Sequence, residues 1–198
     1  TTHIWSWVGG PGGINSVGIY GVQGVPSGSS WPGARGFATA WSGADGLLYL
    51  FGGNGLPGSG VKLGNLNDLW AFDPIAGTWT WLKGSNAIGN AGVYTQLGLP
   101  FSANQPSARS GAVSWVGANG DAWIFGGQGA GALNDVWRYE ALTNLWTWMK
   151  GANKANAPGV YGNLYEPASN NTPGARRGGA AVMGEGGDIY LFGGANGA

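Results

Sequence analysis

Six landmarks recur in step along this chain, and that recurrence constrains the fold more than any single motif. Arg35, Arg109 and Arg176 each end a Pro-x-Ala-Arg stretch that begins at Pro32, Pro106 and Pro173. The two spacings, 74 and 67 residues, also relate Gly52-Gly53, Gly126-Gly127 and Gly193-Gly194. They relate Trp5, Trp79 and Trp146, and likewise Trp7, Trp81 and Trp148. Tyr20, Tyr94 and Tyr161 keep them, as do Pro26, Pro100 and Pro167. Such periodicity is the signature of a chain built from one supersecondary unit used repeatedly. The seven-residue difference between the spacings falls at Leu56 to Lys62, directly after the first double glycine.

Within each period the apolar runs are short, rich in aromatic and β-branched residues, and bounded by Gly, Asn, Asp and Pro, which predicts strands. Strand a is expected at Gly36 to Trp41, Gly111 to Trp115 and Gly178 to Met183. Strand b is expected at Leu48 to Phe51, Ala122 to Phe125 and Ile189 to Phe192, each ending on the double glycine. Strand c covers Asp68 to Phe72 and Asp135 to Tyr139. Strand d covers Thr78 to Leu82 and Leu145 to Met149, with an earlier copy at Ile4 to Val8. No stretch carries a helical period. Glycine supplies 42 of 198 residues, beside 12 Trp, 7 Tyr and 6 Phe. A chain with so many large rings buries a core and is not disordered; its glycines then imply many tight turns.

Four-stranded antiparallel units with glycine and aromatic landmarks suggest propeller blades. After the double glycine the sequence places an aromatic residue, six others and a Trp, at Phe72 to Trp79 and Tyr139 to Trp146. With Asn67-Asp68-Leu69-Trp70 and Asn134-Asp135-Val136-Trp137, the chain resembles the kelch family of β-propellers. Kelch repeats run to about 50 residues. These are longer because their d-to-a connections are long, and the Gly-(Ile/Val)-Tyr connection is similar to one in bacterial kelch-repeat proteins. The fold class expected is therefore all-β, with kelch-type blades of four antiparallel strands. Two blades are complete (36–83 and 110–150), and two are partial. Residues 1–35 give a strand d and a d-to-a loop, 84–109 and 151–176 are further d-to-a loops, and 177–198 give the first half of a blade. A propeller needs about 4 to 8 blades, so this reads as a segment of a larger or oligomeric propeller. Thr1-Thr2-His3, with no initiator Met and no signal peptide, reads as a processed or excised start. The unfinished ends admit two remedies: further blades of a longer polypeptide, or a second copy that adds its strand d.

Antiparallel order places b-to-c and d-to-a connections on one face and the tight a-to-b and c-to-d turns on the other. Long loops carried by a compact scaffold are where recognition concentrates, and kelch relatives bind partners with this face. Candidate binding residues there are Tyr20, Trp31, Leu56, Lys62, Tyr94, Phe101, Tyr161 and Tyr165. Arg35, Arg109, Arg176, Asp68 and Asp135 recur in a chain only 9% charged. They either form an anion-binding ring or, as expected, bridge backbone and carboxylate groups between blades. Gly52, Gly53, Gly126, Gly127, Gly193 and Gly194 are expected to allow backbone conformations that side chains forbid. Trp79 and Trp146 are structural repeat positions, and one ring of each Trp-x-Trp pair (Trp79 and Trp81, Trp146 and Trp148) is expected in the core, the second being open.

Chemistry is poorly supported. The only histidine is His3, there is no cysteine, and no metal ligands cluster. The copper chemistry of kelch-like oxidases needs histidines and a cysteine-linked tyrosine, so no cofactor and no metal are expected. Asp45, Glu166 and Glu185 are scattered carboxylates that would suit a hydrolase only if they converged. Nine Lys plus Arg balance nine Asp plus Glu, and no basic run offers a surface to nucleic acid or anionic membrane. No apolar stretch reaches membrane-spanning length. The sequence thus predicts a non-catalytic scaffold for protein or glycan recognition, on or outside a bacterial cell. The alternative is a structural subunit of an extracellular assembly, whose partners are further copies of itself.

Overall fold

The computed structural model describes residues 4–58, 60 and 62–196; His3, Ser59, Val61, Gly197 and Ala198 lie outside them, with Thr1 and Thr2. Among the described residues the protein is all-β, with no helix. The first sheet contains β1 (Arg35–Gly36), β2 (Thr39–Ser42), β3 (Leu48–Gly55), β4 (Gly64–Asp73) and β5 (Thr78–Lys83). The second contains β6 (Val113–Val116), β7 (Ala122–Gln128), β8 (Ala132–Glu140) and β9 (Leu145–Lys150). The third consists of β10 (Ala180–Met183) and β11 (Ile189–Phe192). Every pairing is antiparallel and, apart from that of β1 with β3, joins neighbours in sequence, which is the cheapest connectivity because each link is a local turn or loop.

β1 and β2 are one strand interrupted at Phe37, and both pair with β3. Phe37 has φ +57°, and the matching Gly111 and Gly178 have +65° and +67°. This is left-handed backbone, which costs a side chain about 1–2 kcal/mol. Phe37 is exposed, so nothing repays the strain through packing. Phe37→Gly is expected to raise stability by about 0.5–1 kcal/mol, the strain relief less the extra freedom glycine gives the unfolded chain. Urea unfolding checks it, and a lowered midpoint would count against it.

The first strands of successive sheets lie side by side, β2 against β6 and β6 against β10. Gly111 N–H donates to the Phe37 carbonyl at 2.8 Å, and Gly178 N–H to the Gly111 carbonyl at 2.8 Å. Between the first and second sheets, alternate residues of β3 (Tyr49, Phe51) meet Ile124, Trp137, Tyr139 and Trp146 in the main core. The rings of Phe51 and Trp146 are 5.3 Å apart, and those of Tyr49 and Tyr139 are 5.9 Å apart. Each large side chain buried here contributes about 1.5–3 kcal/mol.

Two strand expectations need correction. The double glycine does not end strand b in the first two sheets. Ladders run past it to Gly55 and Gln128, with a register shift between Phe51 and Gly53 and between Phe125 and Gly127. The glycines make a bulge, which bends a strand without terminating it. Second, Ile4 to Val8 is not a strand, and Trp5 and Trp7 are exposed. The same Trp-x-Trp pattern in β5 and β9 forms strands because β4 and β8 supply the hydrogen-bonding edge, and among the described residues no strand pairs with 4–8.

Candidate functional site

Each d-to-a connection folds back on itself through an antiparallel bridge, Ile19 to Trp31, Val93 to Gln105 and Val160 to Thr172. The first two then reach the outermost strand of the sheet that follows them, bridging Ser27 to Trp79 and Phe101 to Trp146. Gly24 N–H donates to the Trp81 carbonyl and Gly98 N–H to the Trp148 carbonyl, both at 2.8 Å. The loops therefore cover edges that would otherwise expose a row of unpaired backbone groups.

One buried polar cluster anchors each of these loops. Arg109 directs both terminal nitrogens at the two Asp135 oxygens, 2.7 Å each, and gives a further bond to the Gly126 carbonyl at 3.0 Å. Tyr94 hydroxyl and Trp137 Nε1 donate to the same carboxylate at 2.7 and 2.6 Å. The first sheet repeats it: Arg35 on Asp68 at 2.7 and 2.8 Å, Tyr20 at 2.6 Å and Trp70 at 2.7 Å. The arginine side chains span strands of one sheet; it is their backbone that reaches the preceding sheet. Arg109 N–H donates to the Leu66 carbonyl at 2.9 Å, and the Arg109 carbonyl accepts from Gly53 N–H at 2.8 Å.

Electrostatics hold these groups in fixed protonation states. Burial, then the neighbouring Asp135 charge, pushes the Tyr94 phenol up to about 12. Burial and Asp68 likewise raise Tyr20 well above the usual tyrosine range. Both phenols stay protonated and donate to the carboxylates. Such matched charges inside a sheet give a bidentate, oriented clamp.

Above the clamps the b-to-c and d-to-a connections meet. Lys62 to Asn65 and Gly129 to Ala130, from the b-to-c side, converge with Ile88 to Gly92 and Asn153 to Ala155 from the d-to-a side. Together with Tyr94, Ser107, Ala108 and Leu133 they line an open cleft of ≈780 Å³. Its lining holds two lysines, Lys62 and Lys154, and no carboxylate. The opposite side carries the tight turns: Ala44, Asp45 and Asn119 to Asp121 gather with Glu140 to Leu142.

Of the residues singled out from sequence, the cleft brings together Lys62 and Tyr94. Tyr20 and Leu56, expected on an open loop face, are buried instead, because the loop packs down and the Tyr20 hydroxyl binds Asp68. Trp31 is half-buried, and Phe101, Tyr161 and Tyr165 are exposed on separate stretches of the loops. Trp146 lies in the core, while Trp79 is half-buried beside Phe72, ring centres 5.0 Å apart. Asp45 and Glu185 sit on a-to-b turns and Glu166 on a d-to-a connection, at opposite ends of the strands. Among the described residues no three of His, Cys, Asp and Glu gather as metal ligands would, and no helix could cross a membrane.

Sequence reading missed the asparagines that shape the site. Asn67 and Asn134 are buried, donate to the Pro106 and Pro173 carbonyls, and accept from Ser85 N–H and Ala152 N–H. Their recurrence beside Asp68 and Asp135 was the available signal. Asn65 and Lys154 recur nowhere, so no spacing pointed to them. Compared with known proteins, the chain matches no protein-family model and no curated protein.

Proposed function

We propose that this chain is a non-catalytic binding scaffold, its sheets acting as kelch-type propeller blades that present b-to-c and d-to-a loops for recognition of a protein or glycan. The observation that carries this reading is the cleft at Lys62, Asn65, Tyr94, Ser107, Leu133 and Lys154. It is assembled from four separate connections on one side of the strands and combines an apolar floor with amide, hydroxyl and ammonium donors. Sites of this volume with a few convergent polar groups are the usual form of small-ligand and glycan pockets. Two cations with no acid beside them favour ligands that carry carboxylate or sulfate, such as acidic glycans or acidic peptide segments. The low overall charge and the absence of cysteine suit a protein on or outside a bacterial cell.

A glycan array and a pulldown, each run with the native chain and with Lys62→Ala/Lys154→Ala, test the reading. The double variant is expected to lose about tenfold or more in affinity for the captured ligand, as two charge-assisted contacts are removed. Unchanged capture of every ligand would place recognition elsewhere. A structural subunit of an extracellular assembly is the second reading, favoured by the exposed Val182, Tyr190 and Phe192 on the third sheet. Mass in solution separates the two, since a monodisperse monomer at high concentration counts against assembly.

A further inference from the structure

Lys83 ends β5, the outermost strand of the first sheet, and is half-buried. Its backbone is held twice: it pairs with Leu69, and its carbonyl accepts from Trp81 Nε1 at 2.8 Å. Its ammonium forms no ion pair among the described residues. A cation drawn out of water without an opposite charge is disfavoured, and burial accordingly lowers the Lys83 ammonium below the usual lysine range. The group beside it is a cleft of ≈410 Å³ built from both complete sheets and their loops. Gln23 comes from the first d-to-a connection, Ser102 and Gln105 from the second, and Asn144 from the c-to-d turn of the second sheet. No carboxylate lines this cleft, and Leu82 is its one large apolar side chain.

The side chains around Lys83 are placed to donate. Asn144 Oδ1 accepts from the Tyr139 hydroxyl at 3.0 Å, which leaves its Nδ2 to donate elsewhere. Gln23 Nε2 reaches the Gly84 carbonyl at only 3.4 Å, a weak bond that a ligand can replace. Gln105 is half-buried with its backbone committed to Val93 in both directions, so its side-chain amide is what it offers the cleft. This lining is no part of the repeat. Lys83 recurs as Lys150, but Gln23 is matched by Leu97, and Gln105 by Trp31 and Thr172. The polar groups are therefore particular to this junction and not a demand of the repeated sheets. One ammonium matches one carboxylate, while amides and a hydroxyl offer both donors and acceptors to alcohol groups, in a volume usual for small-molecule sites. We propose that this cleft binds a small polyhydroxy carboxylate of the hexuronate class, with the carboxylate on Lys83. It shares no lining residue with the cleft at Lys62 and Lys154 and stands independently of it.

The probe is sodium glucuronate, titrated into the isotope-labelled whole chain at constant ionic strength and read at the side-chain amide signals of Gln105 and Asn144. Saturable shifts of both are expected. Glucose, which lacks the carboxylate, should bind at least tenfold more weakly, and Lys83→Ala should weaken glucuronate binding by as much. Lys150→Ala, at the matching and exposed position of the second sheet, should leave the titration unchanged. The proposal is overturned if glucuronate gives no saturable shift, if glucose binds as tightly, or if Lys83→Ala has no effect. It is equally overturned if sodium sulfate binds as tightly as glucuronate, which would make the cleft a site for any oxyanion. Should Lys83→Ala fail to fold, the comparison of glucuronate with glucose and sulfate decides alone, because it leaves the chain unaltered.

Discussion

The Asp135→Ala chain is expected to lose about 3–5 kcal/mol of stability, the cost of stranding a buried charge. Asp135 is fully buried and accepts from Arg109 twice, from Tyr94 and from Trp137. Deleting the carboxylate leaves the buried Arg109 guanidinium with carbonyl and hydroxyl partners but no counter-charge, and takes the acceptor from the Tyr94 phenol and the Trp137 indole N–H. Asp135→Asn should recover little, since its amide N–H groups would face donors. The acid limb supplies a second readout. Burial pushes the Asp135 carboxyl up, but the Arg109 charge and the bonds from Arg109, Trp137 and Tyr94 outweigh it and hold the group below the usual carboxylate range. The unfolded chain therefore binds the proton first, so this contribution is complete above the unfolded value near pH 4 and fades as pH falls below it. Urea unfolding across that range should show native stability falling toward that of Asp135→Ala. A loss below about 1 kcal/mol at neutral pH would mean that the clamp is not stabilising.

Gly126→Ala should cost about 3–4 kcal/mol, whereas Gly193→Ala, at the matching position of the third sheet, should cost about 1–2 kcal/mol. Both residues have positive φ, +64° and +69°, so both pay the left-handed penalty for a side chain. They differ in what a Cβ would meet. At Gly126 it would lie 2.5 Å from the Arg176 carbonyl oxygen and 2.9 Å from that of Leu133; at Gly193 nothing lies within 4 Å. The excess of about 2 kcal/mol measures the close approach of neighbouring sheets. Thermal or urea unfolding of the two variants gives it directly, and equal losses would show that backbone conformation alone selects these glycines.

What was legible in the sequence is what local pattern decides. The all-β class, the cores of strands b, c and d and the sidedness of the loops follow from residue type and antiparallel order. What escaped depends on partners distant in the chain. Ile4 to Val8 has the composition of β5 and β9, yet extension there needs a neighbouring edge that composition does not report. Gly52 and Gly126 were read as stops because glycine usually punctuates strands; the ladder continues because the next sheet's Arg109 and Arg176 carbonyls accept from Gly53 and Gly127 N–H. The regular spacing of Arg35, Arg109, Asp68 and Asp135 announced a pairing, but the choice between joining strands and joining sheets lay in three-dimensional register. Tyr20 was placed on an open loop because loops are usually exposed, and only its bond to Asp68 shows the loop packed inward.

Amide hydrogen exchange at the second glycine of each pair tests most directly whether the repeated sheets are locked into one body. Gly53 N–H donates to the Arg109 carbonyl at 2.8 Å and Gly127 N–H to the Arg176 carbonyl at 2.9 Å, while Gly194 N–H has no such acceptor among the described residues. Gly53 and Gly127 should exchange as slowly as the amides of β4 and β8, at least about a hundredfold slower than Gly194. Rapid exchange at Gly53 or Gly127, at the rate of Gly194, would contradict a stack of sheets joined through their backbones.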